Sequence, residues 1–231
     1  MIAPHATPYL VIFDCDGTLI DSQHVICAAM DHAFEMQGLA SPGREATLQI
    51  VGLSLFEAIH RLVPDEPPET IRALGEAYKQ AFNRFRGEFA GREPLYPGAR
   101  DVIEALGRRD DVLLGIATGK SRRGVDHFLE REKFEAGFAT IQTADSARSK
   151  PDPEMIENAL RETGVLARRA VMIGDTTYDI EMGNAGGVTT IGVGWGYHEP
   201  DALQEAGADH MAADYPELAR LLDRLIDEPV A

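Results

Sequence analysis

Short apolar or β-branched runs alternate with amphipathic segments along most of this 231-residue chain, and that alternation limits its possible folds more than any other feature. Tyr9-Leu-Val-Ile-Phe13, Val112-Leu-Leu-Gly-Ile-Ala117, Ala170-Val-Met-Ile173 and Thr189-Thr-Ile-Gly-Val193 are bounded by turn formers. Such runs mark strands buried on both faces of a sheet. Weaker strand signals lie at 140–143 and 209–212. Between the runs, 99–108, 121–132, 153–163, 180–185 and 216–226 read as helices. The last carries Leu218, Leu221, Leu222 and Leu225 at helical spacing. Strands alternating with helices predict an α/β fold, a Rossmann-like doubly wound parallel sheet with helices on both faces.

One stretch breaks the alternation. From 21 to 95 no strand pattern occurs. Val25, Ile26, Ala29, Met30, Ala33 and Phe34 form one helical stripe, and Ile71, Leu74, Tyr78, Phe82, Phe85 and Phe89 form another. Roughly seventy residues of helix between the first two strands exceed any connecting loop. The expected division is an α/β core of 1–20 plus 96–231, with 21–95 an inserted α-helical cap.

The formal charge of −16 argues against nucleic-acid partners and anionic membranes, which select basic patches. An anionic ligand would then need a local cation. The first eight residues show no basic leader followed by an apolar stretch, and no apolar run is long enough to cross a bilayer. Two cysteines, Cys15 and Cys27, do not make a disulfide framework, so a reducing cytoplasm is expected. Cys15 reads as a small packed side chain at a strand end.

Four short motifs fall where strands end or helices begin. Asp14-Cys-Asp16-Gly-Thr-Leu19 follows the first strand. Residues two apart in extended chain point the same way, so Asp14 and Asp16 should enter one site. Two adjacent carboxylates are costly unless a cation or a shared proton relieves them. Thr118-Gly119-Lys120 follows the second strand, where a hydroxyl and a glycine amide suit a phosphate oxygen. Lys150-Pro-Asp-Pro153 should hold Lys150 at a helix entrance with the prolines in its first turn. Gly174-Asp175-Thr-Thr-Tyr-Asp179 puts Asp175 at another strand end, with Asp179 one helical turn further on. Ligands of open α/β sheets bind outside the carboxyl ends of the strands, so these motifs should converge. Clustered carboxylate oxygens suit Mg²⁺ better than zinc, for which no cysteine–histidine pattern exists.

In this order and over nearly the whole chain, the four motifs resemble those of the haloacid-dehalogenase-like hydrolase superfamily. The helical insertion is similar to that of members with an α-helical cap. Gly194-Trp-Gly-Tyr-His198 and Ala206-Gly-Ala-Asp209 look like the phosphoglycolate phosphatase branch. The resemblance implies a Mg²⁺-dependent phosphatase acting on a small phosphorylated metabolite. Asp14 would be the nucleophile and Asp16 the acid and base. Thr118 and Gly119 would bind phosphate, and Lys150 would neutralise charge beside the nucleophile. Mg²⁺ would be held by Asp14, the Asp16 carbonyl and Asp175, with Asp179 direct or through water.

Asp16 weighs against a dehalogenase, which needs no leaving-group acid. Lys79 is the sole lysine of the helical insertion and carries no special signal. The arginine that β-phosphoglucomutases carry after a Gly-x-Ser is missing, since Phe56 follows Gly52-Leu-Ser-Leu55. Substrate contacts are expected from the Val51–Ser54 loop and helix 55–62, whose His60 and Arg61 otherwise read as a solvated face. A pyrophosphatase, a mutase-like phosphotransferase and a non-enzymatic aspartate-phosphorylated switch are the alternatives.

Overall fold

All six expected strands form, and each lies parallel to its neighbours in a computed structural model that describes residues 8–88 and 93–227. They are β1 (Tyr9–Phe13), β2 (Val112–Thr118), β3 (Phe138–Thr143), β4 (Ala170–Gly174), β5 (Thr189–Val193) and β6 (His210–Ala212), in the order β3-β2-β1-β4-β5-β6. The order reverses direction at β1, which makes β1 the topological switch point of a doubly wound sheet. Residues 1–7, which include most of the stretch inspected for a leader, lie outside the described residues, as does Phe89.

Side-chain alternation explains why β1 is a continuous apolar run. Tyr9, Val11 and Phe13 enter one apolar cluster with Ile103, Phe128 and Leu222. Leu10 and Ile12 enter another, on the opposite face, with Met155, Ile156 and Met182. Both faces are covered by helix, so no position of the strand can be polar. These helices are α5 (Ala99–Gly107), α6 (Arg122–Glu132), α7 (Glu154–Thr163), α8 (Thr177–Ala185), α9 (Pro200–Glu205) and α10 (Tyr215–Asp227).

Between β1 and α5 lie α1 (Gln23–Met36), α2 (Gly43–Gln49), α3 (Leu55–Leu62) and α4 (Pro68–Glu88). Met30, Phe34, Ile59 and Leu74 build a separate apolar cluster among them. The chain enters and leaves this stretch side by side: Ile20 bridges Leu95 in antiparallel fashion, and the Asp21 amide donates to the Pro94 carbonyl at 2.9 Å.

Three local expectations need correction. The helix over 153–163 starts at Glu154, with Pro153 as its N-cap, so Pro151 and Asp152 precede the helix and do not form its first turn. Helix α8 starts at Thr177, ahead of the expected 180, because Thr176 and Asp179 form a reciprocal capping box that a polar first turn conceals from an apolar pattern. Helices α2 and α9 were not anticipated: the first is mostly polar and the second spans six residues.

Candidate active site

Parallel register brings the functional motifs level. Phe13 pairs with Ile116 on one side and Ile173 on the other, so Asp14, Thr118 and Asp175 leave the sheet at nearly the same height. The Asp14 amide extends the β1–β4 ladder to the Ile173 carbonyl at 2.9 Å. Asp14, Thr118, Lys150, Asp175 and Asp179 are all buried.

Lys150 is the electrostatic centre of the group. Its Nζ donates to Asp14 Oδ1 at 2.8 Å and to Asp179 Oδ1 at 2.6 Å, with no side-chain exposure. A lone lysine in a loop is usually solvated; here the two carboxylates make burial tolerable. Burial by itself would lower the Lys150 pKa, but Asp14 and Asp179 raise it above the usual lysine range, so the ammonium stays charged.

The Asp14 carboxyl is pushed up to about 6, chiefly by burial, against the lowering effect of Lys150 and with a further push from Asp179. Burial also raises Asp175 well above the carboxylate range, helped by Asp179 and Asp14. Asp175 accepts from the Thr18 hydroxyl at 2.7 Å and from the Tyr197 amide at 2.9 Å. Asp179 accepts from the Thr176 hydroxyl at 2.7 Å.

These groups suit a hard cation. Oxygens of Asp14, Asp175 and Asp179 lie within 4.8 Å of one another. Asp14 Oδ2 is the one buried side-chain polar atom without a hydrogen-bond partner among the described residues. A buried carboxylate with an unpartnered oxygen, clustered with two further carboxylates, is an arrangement that a divalent cation with oxygen preference stabilises.

Asp16 and Asp14 both line one cavity, as the spacing predicted, but they have separate partners. The Asp16 side chain is outside the three-carboxylate cluster. Its Oδ1 accepts from Lys120 Nζ at 2.6 Å and from the Ser22 hydroxyl. Lys120 carries a raised pKa: burial opposes its charge, while Asp16 and Glu93 favour it. Lys120, Ser22, Thr18 and Tyr197 were not singled out from the sequence. Lys120, Thr18 and Tyr197 each lie within a quoted motif, but none was given a role in the site.

Gly119 also touches the helical insertion. A Cβ at this position would lie 2.5 Å from the Leu53 carbonyl oxygen and 2.6 Å from that of Gly52. Gly52 itself has φ +101, a conformation open to glycine. The same loop is tied down by the Ser54 amide, which donates to Ser149 Oγ at 2.8 Å. Nearby, Tyr178 OH donates to the Gln49 carbonyl at 3.0 Å, and Arg61 reaches Tyr178 OH at 3.2 Å. Val51–Ser54 therefore lines the cavity as expected, whereas His60 and Arg61 do not. Lys79 is half exposed, paired with Glu76 at 2.8 Å and placed over Phe56. Cys15 is buried in the core with its thiol pKa raised by burial and by Asp14, in keeping with a packing role.

Residues 11–193 match the family model for haloacid dehalogenase-like hydrolases. Among characterised sequences, the chain is 34% identical to tyrosine-protein kinase PtkA of Mycobacterium tuberculosis, over 88% of this chain and 68% of that protein. It is 32% identical to pyrophosphatase PpaX of Bacillus pumilus, over 92% and 95%. It is 31% identical to phosphoglycolate phosphatase of Pseudomonas putida, over 84% and 72%. The three names share phosphorus chemistry and differ in what is acted on.

Proposed function

The chain belongs to the haloacid-dehalogenase-like hydrolase family, and we propose that it is a Mg²⁺-dependent phosphatase that hydrolyses a small phosphomonoester through an aspartyl-phosphate on Asp14. The observation that carries this reading is the unpartnered oxygen of buried Asp14, set beside Lys150 in a cavity that a second carboxylate, Asp16, also lines. The likeness to a phosphoglycolate phosphatase supports the same reaction class.

In this mechanism an Asp14 oxygen attacks phosphorus as the bond to the leaving oxygen breaks. Asp16 gives the leaving oxygen its proton, then takes a proton from the water that cleaves the aspartyl-phosphate. Lys120 and Ser22 hold Asp16 in place. The Thr118 hydroxyl and Gly119 amide donate to phosphate oxygens, and Lys150 keeps Asp14 ionised and oriented. Bound Mg²⁺ would be held by Asp14, Asp175, Asp179 and the Asp16 carbonyl, and supplies positive charge against the phosphate dianion. The segment 21–95 acts as a cap over the core of 1–20 and 96–231, since its Val51–Ser54 loop lines the cavity. We place the enzyme in the cytoplasm, where Cys15 and Cys27 stay reduced. No helix among the described residues is long and apolar enough to cross a membrane.

Phosphate release from a panel of phosphomonoesters tests the proposal. EDTA should lower turnover by more than about 100-fold, with recovery on adding Mg²⁺. Full turnover in EDTA would remove the metal from the mechanism, and no release from any ester would remove hydrolysis. Thermal stability supplies a second readout. Asp14 and Asp175 have raised folded-state pKa values, so their neutral forms favour the metal-free fold. That contribution is present near pH 4 and is lost as pH rises through about 6, the folded value for Asp14. Mg²⁺ should therefore raise Tm more at pH 7.5 than at pH 5; equal shifts would contradict the cluster as its site.

Gly119→Ala should push away the 52–53 loop while leaving the core folded. A displacement of this kind costs about 10- to 100-fold in kcat/KM. Unchanged kinetics would show that the loop does not help to position substrate.

A further inference from the structure

The phosphate end of the site is compact, but the cavity it opens into is not. That cavity measures about 580 Å³ and is bounded by the core on one side and the helical insertion on the other. At about 30 Å³ per water molecule, it has room for roughly twenty waters, far more than a two-carbon alcohol needs. Its walls beyond Asp14 and Asp16 are largely hydrocarbon. Ile26 and Met30 come from α1, Val51 and Leu53 from the loop after α2, Phe56 from α3 and Phe82 from α4.

Of the five lysines and arginines along the wall, three have an acidic partner, while Arg86 and Arg123 have none among the described residues. Lys120 is bound to Asp16, Lys79 to Glu76, and Arg131 lies 3.5 Å from Glu93. A second phosphate or a carboxylate next to the scissile bond would face apolar side chains and would have to compete with Asp16 for Lys120. Burying such a charge against the apolar part of the wall is costly. An apolar leaving group in the same place gains from every side chain it covers.

We propose that this cavity selects phosphomonoesters whose leaving alcohol is bulky and apolar, an aromatic or branched hydrocarbon body, over glycolate or a second phosphate. The proposal rests on the hydrolytic reading above and adds the substrate class. Arg123 lines the same cavity and is exposed, so it is placed to draw the dianion into an otherwise acidic protein.

The test compares alkyl esters whose leaving alcohols have similar acidity, so that intrinsic reactivity does not decide the result. Ethyl phosphate, 2-(2-naphthyl)ethyl phosphate, phosphoglycolate and ethane-1,2-diyl bisphosphate are assayed with the full chain and Mg²⁺. The naphthylethyl ester should exceed each of the others in kcat/KM by about 10- to 100-fold, the gain from burying one large apolar side chain. Phe82→Asn, at a partly buried wall position beside Lys120, should reduce that preference at least fivefold, measured as the ratio to ethyl phosphate in the same variant. Equal kcat/KM across the esters, or preference for phosphoglycolate or the bisphosphate, overturns the cavity proposal and leaves hydrolysis standing. If no compound is hydrolysed, the hydrolytic reading fails instead. Calorimetric binding to Asp14→Asn then decides the cavity: tighter binding of the naphthylethyl ester than of ethyl phosphate supports it, and equal binding overturns it.

Discussion

Asp14→Asn should lower phosphate release by at least about 10⁴-fold and leave the fold as stable as before or more so. The first effect follows from chemistry. An amide oxygen does not form a stable acyl phosphate, and removing a nucleophile leaves only the contributions of binding and positioning. The second follows from the surroundings. The Asp14 carboxyl is held at about 6 because burial opposes its ionised form. The isosteric amide removes that charge, while its oxygen can still accept from Lys150, which Asp14 Oδ1 does now at 2.8 Å. In EDTA at pH 7.5, Tm should stay level or rise, the trade of stability against activity common at active sites. Rapid-quench phosphate assays and calorimetry check both halves. Wild-type turnover in this variant would overturn the nucleophile. A large fall in Tm would show that Asp14 supports the fold instead.

Lys150→Met should damage both activity and stability. Methionine roughly keeps the length and removes the charge, leaving Asp14 and Asp179 buried without their shared donor. Breaking a buried pair from one side costs about 3–5 kcal/mol. In a protein of this size that lowers Tm by on the order of 10 °C. The loss should be smaller at pH 5 than at pH 8, because protonated carboxyls tolerate the missing ammonium. Mg²⁺ should recover part of the stability. Turnover should fall by about 10²- to 10³-fold, as for other groups that stabilise transition-state charge. A variant with unchanged Tm and full activity would make Lys150 a bystander.

The relatives' names fit this division of labour. Protein tyrosine kinase, pyrophosphatase and phosphoglycolate phosphatase differ in the partner of the phosphoryl group. The residues that would handle phosphorus gather at the carboxyl end of the sheet, on strand ends, a loop and α8. The apolar wall of the cavity comes mainly from the insertion.

Local pattern was enough for β1 and β4, because a run buried on both faces is apolar throughout, and for β5, where β-branched residues dominate. It was enough for Asp14, Thr118 and Asp175 as well, since each directly follows such a run and parallel pairing levels their positions. The stripe in α4 was legible for the same periodic reason, and α2 was not, being short and mostly polar. Other features depend on contacts between residues far apart along the chain. Lys120 meets Asp16 across 104 positions, Lys150 meets Asp14 across 136, and Thr18 meets Asp175 across 157. No local periodicity records such meetings, so neither the burial of Lys150 nor the hold on Asp16 could be read in advance. The cavity is further still from local pattern: its volume is set by how four helices settle over a sheet. The places of Asp14, Thr118 and Asp175 were thus written in the residues adjoining the strands, while the volume of the cavity beside them was decided by packing alone.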